Sequence, residues 1–192
     1  LGDVYKRQPQ YAASTTATVN DEVFKWALKL RWQPAIRTAP PWHDHPLYIK
    51  ALVKSLKAHF KGRKMPEHLM LSFHGIPQRY FVQGDPYHCH CMKTARLVKE
   101  ELGWEEKKFH VTFQSRFGSE PWLQPYTDET LEKLGAEGVK SLAIMAPGFS
   151  ADCLETLEEL AMEGRESFEE HGGGSFDLSL IHISEPTRPL YI

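Results

Sequence analysis

The feature that most constrains the fold is an alternation of short apolar runs with longer helical patterns. Three apolar runs have the length of buried strands, and each is followed by a segment with helical spacing of its apolar residues. Together the six segments are 69–73, 90–102, 109–113, 128–136, 142–145 and 152–170. Strands and helices that alternate at this spacing predict an α/β fold, with a parallel sheet and helices on both of its faces.

The boundaries of this pattern carry recognisable signals. A further helix is expected over 46–60, where apolar residues recur at helical spacings and Asp44 is placed to cap the first turn. The helix near 90–102 is expected to stop at Gly103, because glycine readily ends a helix. Glycine and proline are frequent from residue 75 to Tyr87, which predicts a loop after the first strand.

Composition excludes several classes of protein. The 192 residues are 41% hydrophobic and 25% charged, as expected for a globular domain. A net charge of −2, from 23 basic and 25 acidic residues, argues against a dedicated nucleic-acid binder. No apolar stretch approaches the roughly 20 residues of a membrane span, and no signal peptide is recognisable. Three cysteines cannot pair off evenly, which favours a reducing, cytoplasmic location over a disulfide framework.

Both ends of the chain look foreign to the domain. Residues 179–192 show neither helical nor strand periodicity and resemble a translated sequencing adapter, and residues 2–8 resemble the matching artefact. The change follows abruptly on the glycine run 172–174, where another strand would be expected. Segments 1–8 and 175–192 are therefore interpreted as a non-native leader and a non-native tail.

His74 is the main candidate for a functional residue. It ends the strand predicted over 69–73, and parallel sheets place their chemistry just outside the carboxyl ends of strands. The segment 147–159 repeats the strand–turn–helix arrangement and brings carboxylates to the same edge. An imidazole and a carboxylate on one cleft edge indicate metal handling or proton abstraction. From position alone, a histidine bonded to nearby backbone is an equally good interpretation.

Several segments, in a fixed order, resemble the ferrochelatase family and most of all its bacterial branch. The matching segments are 9–19 (PQYAASTTATV), 71–80 (LSFHGIPQRY), 84–87 (GDPY), 113–118 (FQSRFG), 122–127 (WLQPYT) and 147–159 (PGFSADCLETLEE). The resemblance covers about residues 9–174, and so many motifs in one order make chance agreement very improbable.

The resemblance implies an enzyme of two Rossmann-like halves with a porphyrin cleft between them. Residues 9–68 correspond to the end of the first half and a connecting helix, and 69–174 to most of the second half. The rest of the amino-terminal half is expected to be absent from this chain, as are the last strand and helix of the second half. The implied chain is thus the second half of a two-domain enzyme.

The activity implied by the resemblance is that of a lyase, which inserts Fe²⁺ into a porphyrin to form haem. Protoporphyrin IX is favoured as the ring, and coproporphyrin stays open. Iron is the substrate metal, and porphyrin and iron are the implied partners, with peripheral membrane contact and oligomeric state left open. Some relatives carry an iron–sulfur cluster, but three cysteines cannot supply its four thiolates, so no such cluster is expected.

The resemblance also implies which residues act. Metal insertion releases two pyrrole protons, so a base must face the macrocycle, and imidazole with carboxylate suits a borderline ion such as Fe²⁺. His74 and Glu155 are implied as the metal and pyrrole site, with Glu159 as a proton or metal relay. Whether His74 acts as base or ligand stays open. From spacing alone, Asp152 and Glu155 could equally form a capping box at a helix start.

Three aromatic residues lie in segments that resemble the porphyrin-facing loops, namely Tyr87, Trp122 and Phe149. Flat apolar surface is what a macrocycle stacks on, although ordinary core packing explains each residue equally well. Arg116 could meet a substrate carboxylate or form a structural salt bridge. The sequence is compatible with both interpretations of each of these residues.

Two apparent metal motifs are rejected. In the segment 88–91 (HCHC), Cys89 and Cys91 would project about 200° apart on a helix and cannot share one ion. The segment 43–45 (HDH) precedes a helix and is interpreted as a cap with surface histidines.

Two other functions stay open. One is a related tetrapyrrole chelatase that uses another metal or ring, and the other is a catalytically silent porphyrin-binding domain, because half of the cleft is expected to be missing. The chain alone is expected to be inactive and poorly soluble, since an uncovered apolar face and sheet edge favour association.

Overall fold

A parallel sheet of four strands forms the centre of the molecule. The computed structural model describes residues 8–149, 153 and 156–179. The strands are β1 (His68–His74), β2 (Phe109–Gln114), β3 (Ser141–Met145) and β4 (Ser175–Leu178). All neighbours are parallel, in the order β2-β1-β3-β4. The predicted α/β class with a parallel sheet is confirmed.

Helices cover the sheet on both faces. They are α1 (Thr18–Ala27), α2 (Pro46–His59), α3 (Gln78–Val82), α4 (Tyr87–Leu102), α5 (Thr127–Ala136) and α6 (Gly164–Glu170). Shorter π-helical or 3₁₀ segments are Ala13–Ala17, Glu106–Lys108 and Thr156–Glu163. The helix expected over 152–170 is therefore π-helical in its first described part and α-helical only from Gly164.

Strand β1 is buried on both sides, which explains why all but one of the residues in 69–73 are apolar. Leu71 and Phe73 belong to a core that α2 and α4 cover, while Met70 belongs to a second core shared with α5 and α6. All three side chains have no exposed surface. This two-sided burial fixes the register of β1 and, with it, the position of His74 at the strand's carboxyl end.

The segment after the glycine run 172–174, which was interpreted as a non-native tail, begins with a strand, and its origin stays a prediction. Strand β4 begins directly after the glycine run and pairs with β3 from Ser175 onward. The glycines are needed for close packing rather than as a domain end. A Cβ at Gly173 would lie 2.5 Å from the ring of Phe168, and one at Gly174 would lie 2.1 Å from the carbonyl oxygen of Lys140.

We therefore expect Gly174→Ala to lower the free energy of unfolding by about 3 kcal/mol, since backbone must move to admit the methyl group. Urea denaturation measures the change. Gly62→Ala is the control: its φ is +79°, but nothing lies within 4 Å of the added Cβ, so a cost near 1 kcal/mol is expected from conformation alone. Equal losses in the two variants would contradict this account of the glycine run.

The expected cap of α2 was also wrong. The cap is His45, whose Nδ1 accepts a hydrogen bond from the N–H of Leu47 at 3.3 Å, followed by Pro46 at the first helical position. Asp44 instead forms an ion pair with Lys93 of α4, with 2.7 Å between Oδ2 and Nζ. His43, expected on the surface, is 7% exposed and stacks on His90 at a centroid distance of 3.7 Å.

Two histidines, the buried His43 and the half-buried His110, should make the fold sensitive to acid. Burial lowers the pKa of His43 to about 4, and it lowers the pKa of His110, whose Nε2 lies 2.9 Å from His68 Nδ1, to about 4. Their ordinary value is 6.5, so both are neutral in the fold and take up protons on unfolding. This contribution is complete above pH 6.5 and is lost as the pH falls towards 4.

The expected result is a free energy of unfolding about 1–2 kcal/mol lower at pH 5 than at pH 7 for each histidine, after allowance for residual solvent screening. Urea titrations at several pH values measure it. His110→Gln keeps a neutral polar group and should flatten the slope. An unchanged slope in that variant would show that His110 does not carry the effect.

Candidate functional site

The carboxyl edge of the sheet has the topology of a ligand-binding crevice. The chain runs from β1 outward to β2 and then crosses back to β3 on the other side of β1. In open parallel sheets, ligands bind outside the carboxyl ends of the strands at such a reversal. His74 ends β1 at this point, and the loop that begins at Pro147 follows β3 beside it.

His74 has one ring nitrogen without a hydrogen-bond partner among the described residues. The residue is exposed, and its Nδ1 lies 2.7 Å from the carbonyl oxygen of Gly75. Because a carbonyl only accepts, Nδ1 carries the proton and Nε2 carries the lone pair in the neutral ring. The indole of Trp122 lies nearby, with 6.5 Å between the ring centroids. The imidazole is therefore oriented to bind a metal or a proton through Nε2.

Close packing behind His74 requires a glycine. The N–H of Gly75 donates to the carbonyl of Gln114, the register partner of His74 on β2, at 2.7 Å. A Cβ at Gly75 would lie 2.9 Å from that same oxygen and 3.1 Å from the Trp122 ring. The glycine that follows His74 thus joins the ends of β1 and β2 and seats Trp122.

Glu159 reaches the same edge from the π-helical segment Thr156–Glu163. Its carboxylate accepts from the N–H of Ser115 at 2.6 Å and from the hydroxyl of the same residue. Ser115 directly follows β2 and has a φ of +62°, which costs a non-glycine residue about 1–3 kcal/mol. The carboxylate therefore stabilises a strained turn one strand away from His74. π-Helical segments of this kind are frequent at functional sites.

A cavity of about 290 Å³ opens between β2, α5 and the π-helical segment. Gln114, Ser115, Glu159 and Glu163 are among the residues that line it. The side-chain oxygen of Gln114 accepts from the Ser72 hydroxyl at 2.7 Å, while its Nε2 is buried without a partner in the part of the chain that the structure describes. The cavity therefore offers carboxylates and an amide donor.

The three aromatic candidates fall in different environments. Trp122 is half-buried beside a pocket of about 220 Å³ that Phe81 and His88 also line. Phe149 follows β3 and packs partly against the core on the α5 side of the sheet. The expectation for Tyr87 was wrong: its ring is 1% exposed and belongs to the core under α4, so it cannot stack on a ligand. Its hydroxyl donates to the carbonyl of His74 at 2.8 Å.

Arg116 is held within the protein. Its guanidinium forms ion pairs with Asp128 at 3.2 Å and with Glu129 at 3.1 Å. It also lies 4.4 Å over the ring of Tyr126. Of the two interpretations from sequence, the structural salt bridge fits these contacts.

Glu155 and Asp152 lie outside the described residues. Within the described ranges, no group of three or more histidine, cysteine or acidic side chains is arranged to hold a metal ion. The segment 88–91 opens α4, with Cys89 exposed and Cys91 buried, so the two thiols face different ways. No described helix has both the length and the apolar character to cross a bilayer.

Sequence reasoning missed Ser115, Gln114 and Ser72 as parts of the site. Ser72 interrupts an apolar run inside β1, and a serine with no exposed surface needs a buried partner. That signal pointed to a polar contact on the neighbouring strand. No local sequence signal predicts the positive φ of Ser115, because the carboxylate that stabilises it belongs to Glu159, far away in sequence.

The fold is that of an α/β protein whose parallel sheet has a crevice at its carboxyl edge. A solved structure with this architecture is titled "SirB from Bacillus subtilis with Fe3+". The two share a TM-score of 0.61 over 91% of this chain and 62% of that one, at 14% sequence identity, which shows the fold alone.

Sequence comparison defines the family. The family profile named Ferrochelatase matches residues 4–181. The ferrochelatase of Agrobacterium fabrum is 63% identical over 169 residues, which are 88% of this chain and 49% of that protein. The one of Rhizobium meliloti is 58% identical over 174 residues, 90% of this chain and 51% of the relative. The chain belongs to the ferrochelatase family, as its motifs indicated, and spans about half the length of these curated relatives.

Proposed function

We propose that this chain is part of a ferrochelatase that inserts Fe²⁺ into a porphyrin to form haem, with protoporphyrin IX as the ring. The observation that carries the proposal is the position of His74 at the crevice edge of the sheet, with its Nδ1 2.7 Å from the carbonyl oxygen of Gly75, in a chain of this family. The cytoplasm is the proposed location, and porphyrin and ferrous iron are the proposed partners. The division into residues 9–68, from the first half, and the second half from residue 69 is part of the proposal.

His74 supplies the lone pair that insertion needs. Its Nδ1 proton is engaged by the Gly75 carbonyl, so Nε2 is the atom that accepts a pyrrole proton or binds iron. A pyrrole N–H is a weak acid, and a positioned base lowers the barrier to its removal. A porphyrin held bent exposes its nitrogen lone pairs to the metal, and binding energy from the rest of the ring offsets that strain.

Glu155 and Glu159 supply negative charge. We assign Glu155 to the metal and pyrrole site together with His74, following the family motif. Glu159 is assigned to the relay of protons or metal, because its carboxylate lies at the crevice edge and lines the cavity beside β2. Both of its carboxylate oxygens accept hydrogen bonds from Ser115.

Trp122 and Phe149 are proposed to contact the macrocycle. Trp122 is half-buried and lies close to His74, so an apolar ring that meets the imidazole also meets the indole. Phe149 lies in the loop after β3, and β3 is the neighbour of β1 on the side opposite β2. Tyr87 is withdrawn from this set because its ring is buried.

The test requires a completed protein, in which the half of the Agrobacterium fabrum relative that this chain does not span is joined to it. Purified completed protein is supplied with protoporphyrin IX and Fe²⁺ without oxygen, and haem is followed by absorbance. Conversion above a protein-free blank supports the proposal. Selective insertion of another metal, or into another tetrapyrrole, would instead support a related chelatase.

A second candidate is a porphyrin-binding chain without insertion activity, and the half-buried indole of Trp122 beside a pocket of about 220 Å³ favours it. Titration of the 192-residue chain with protoporphyrin, followed by quenching of tryptophan fluorescence, tests for binding. Saturable quenching without haem formation would support this second candidate for the chain alone. Haem formation by the chain alone would exclude it.

A further inference from the structure

The peptide unit between His74 and Gly75 is held from both sides. Its carbonyl accepts a hydrogen bond from the hydroxyl of Tyr87 at 2.8 Å. Its N–H donates to the carbonyl of Gln114 at 2.7 Å. These two bonds fix ψ of His74 and φ of Gly75. The two hydrogen bonds are important because glycine has no Cβ to restrict its backbone dihedral angles. Tertiary contacts must therefore set the conformation of Gly75.

The conformation of Gly75 in turn sets the imidazole. The carbonyl oxygen of Gly75 accepts the proton on His74 Nδ1 at 2.7 Å, and this contact selects the tautomer with its lone pair on Nε2. If the preceding peptide rotates, that carbonyl moves and the tautomer is no longer selected. The orientation of the ring thus depends on the anchoring of the peptide that precedes Gly75.

Tyr87 is built to provide this anchor. Its ring is buried in the core, and its own N–H donates to the carboxylate of Asp85 at 2.9 Å at the start of α4. Burial holds the pKa of its hydroxyl well above the ordinary value, so the group remains a donor throughout the physiological range. The start of α4 therefore holds the hydroxyl of Tyr87 in place to donate to the carbonyl of His74.

We infer that Tyr87 is a positioning residue for His74, acting through the His74–Gly75 peptide and the Gly75 carbonyl to keep the lone pair on Nε2. The need for that tautomer rests on the proposed function. The role differs from the ring-stacking one expected from sequence, because Tyr87 touches neither the crevice nor a ligand in it.

The test is Tyr87→Phe in the completed protein, since phenylalanine keeps the ring and removes only the donor. The ¹⁵N shifts of the His74 ring, assigned by their loss in His74→Ala, report the tautomer. We expect a single form protonated on Nδ1 in the parent protein and a mixture in Tyr87→Phe. Iron insertion should show kcat about 10-fold lower with KM for porphyrin unchanged, as expected for a misdirected base that leaves binding intact.

Trp104→Phe is the matched control. It deletes the indole N–H that donates to the Lys108 carbonyl at 3.2 Å, an aromatic-to-backbone bond at the opposite, amino-terminal end of the sheet. We expect it to keep the parent tautomer and the parent kcat. Mixing of tautomers in this control as well would show a general loosening of the fold and would overturn the assignment to Tyr87.

A single Nδ1-protonated form with full turnover in Tyr87→Phe would also overturn the inference. The tautomer measurement needs no turnover and so separates the inference from the proposed function. If the tautomers mix in Tyr87→Phe while the parent completed protein inserts no iron, the positioning role holds and the proposed function fails. If the parent completed protein inserts iron while Tyr87→Phe keeps the single form protonated on Nδ1, the proposed function holds and the positioning role fails.

Discussion

His74→Ala in the completed protein is expected to reduce iron insertion at least about 1,000-fold, because it removes the ring nitrogen at the end of β1 that is poised to take a pyrrole proton or iron. The residue is exposed at the end of β1, so its loss opens no core cavity, and the melting temperature should change by no more than a few degrees. Initial rates of haem formation and a thermal melt on the same preparation measure the two effects.

His171→Ala is a closely matched control for this variant. His171 is also exposed, and its Nδ1 also lies 2.7 Å from a backbone carbonyl, that of Ser167. It follows α6, at the amino-terminal end of the sheet and away from the crevice. The control should retain the parent rate. A His74→Ala protein that still inserts iron at near-normal rates would remove His74 from the mechanism.

The central strands were predictable because burial on both faces leaves an unmistakable trace in sequence. The apolar run 69–73 becomes β1. The two other apolar runs become β2 and β3, which pair with β1 on its two sides. Strand β4 is hard to recognise from sequence because it has only four residues. The glycines before it are there for tight packing on Phe168 and Lys140.

The same contrast holds at the site. His74 could be found from its place at a strand end, since topology alone brings such positions to the crevice. The misassignment of Tyr87 shows the limit of this reasoning. A motif near the site does not tell whether an aromatic ring faces the cleft or the core, and that is decided by the rotation of α4 against the sheet.

The contacts of Ser115 and Asp44 mark a further limit of prediction from sequence. Whether Asp44 caps a helix or pairs with Lys93, and whether a serine adopts a positive φ, depends on partners more than 40 residues away in sequence. The cap and the ion pair open to Asp44 are each worth about a kcal/mol or less, so local propensity and tertiary structure compete on equal terms there.

Glu155→Gln in the completed protein is expected to lower kcat about 100-fold or more. The substitution is chosen because it separates the two interpretations of this residue. Glutamine serves as well as glutamate at the third position of a capping box, so a purely structural Glu155 would tolerate the change. A carboxylate that binds iron or takes up a proton would not, because the amide carries no charge and is no base.

Glu158→Gln is the control. Glu158 is exposed on the π-helical segment Thr156–Glu163, and its substitution also removes one negative charge. It should keep the parent kcat. The rate of the Glu155 variant should also fail to recover at higher Fe²⁺ concentration if the carboxylate takes up protons, whereas recovery would assign it to metal binding. A Glu155→Gln protein with full activity at all iron concentrations would leave the residue as a helix cap and leave His74 without the carboxylate partner proposed for it.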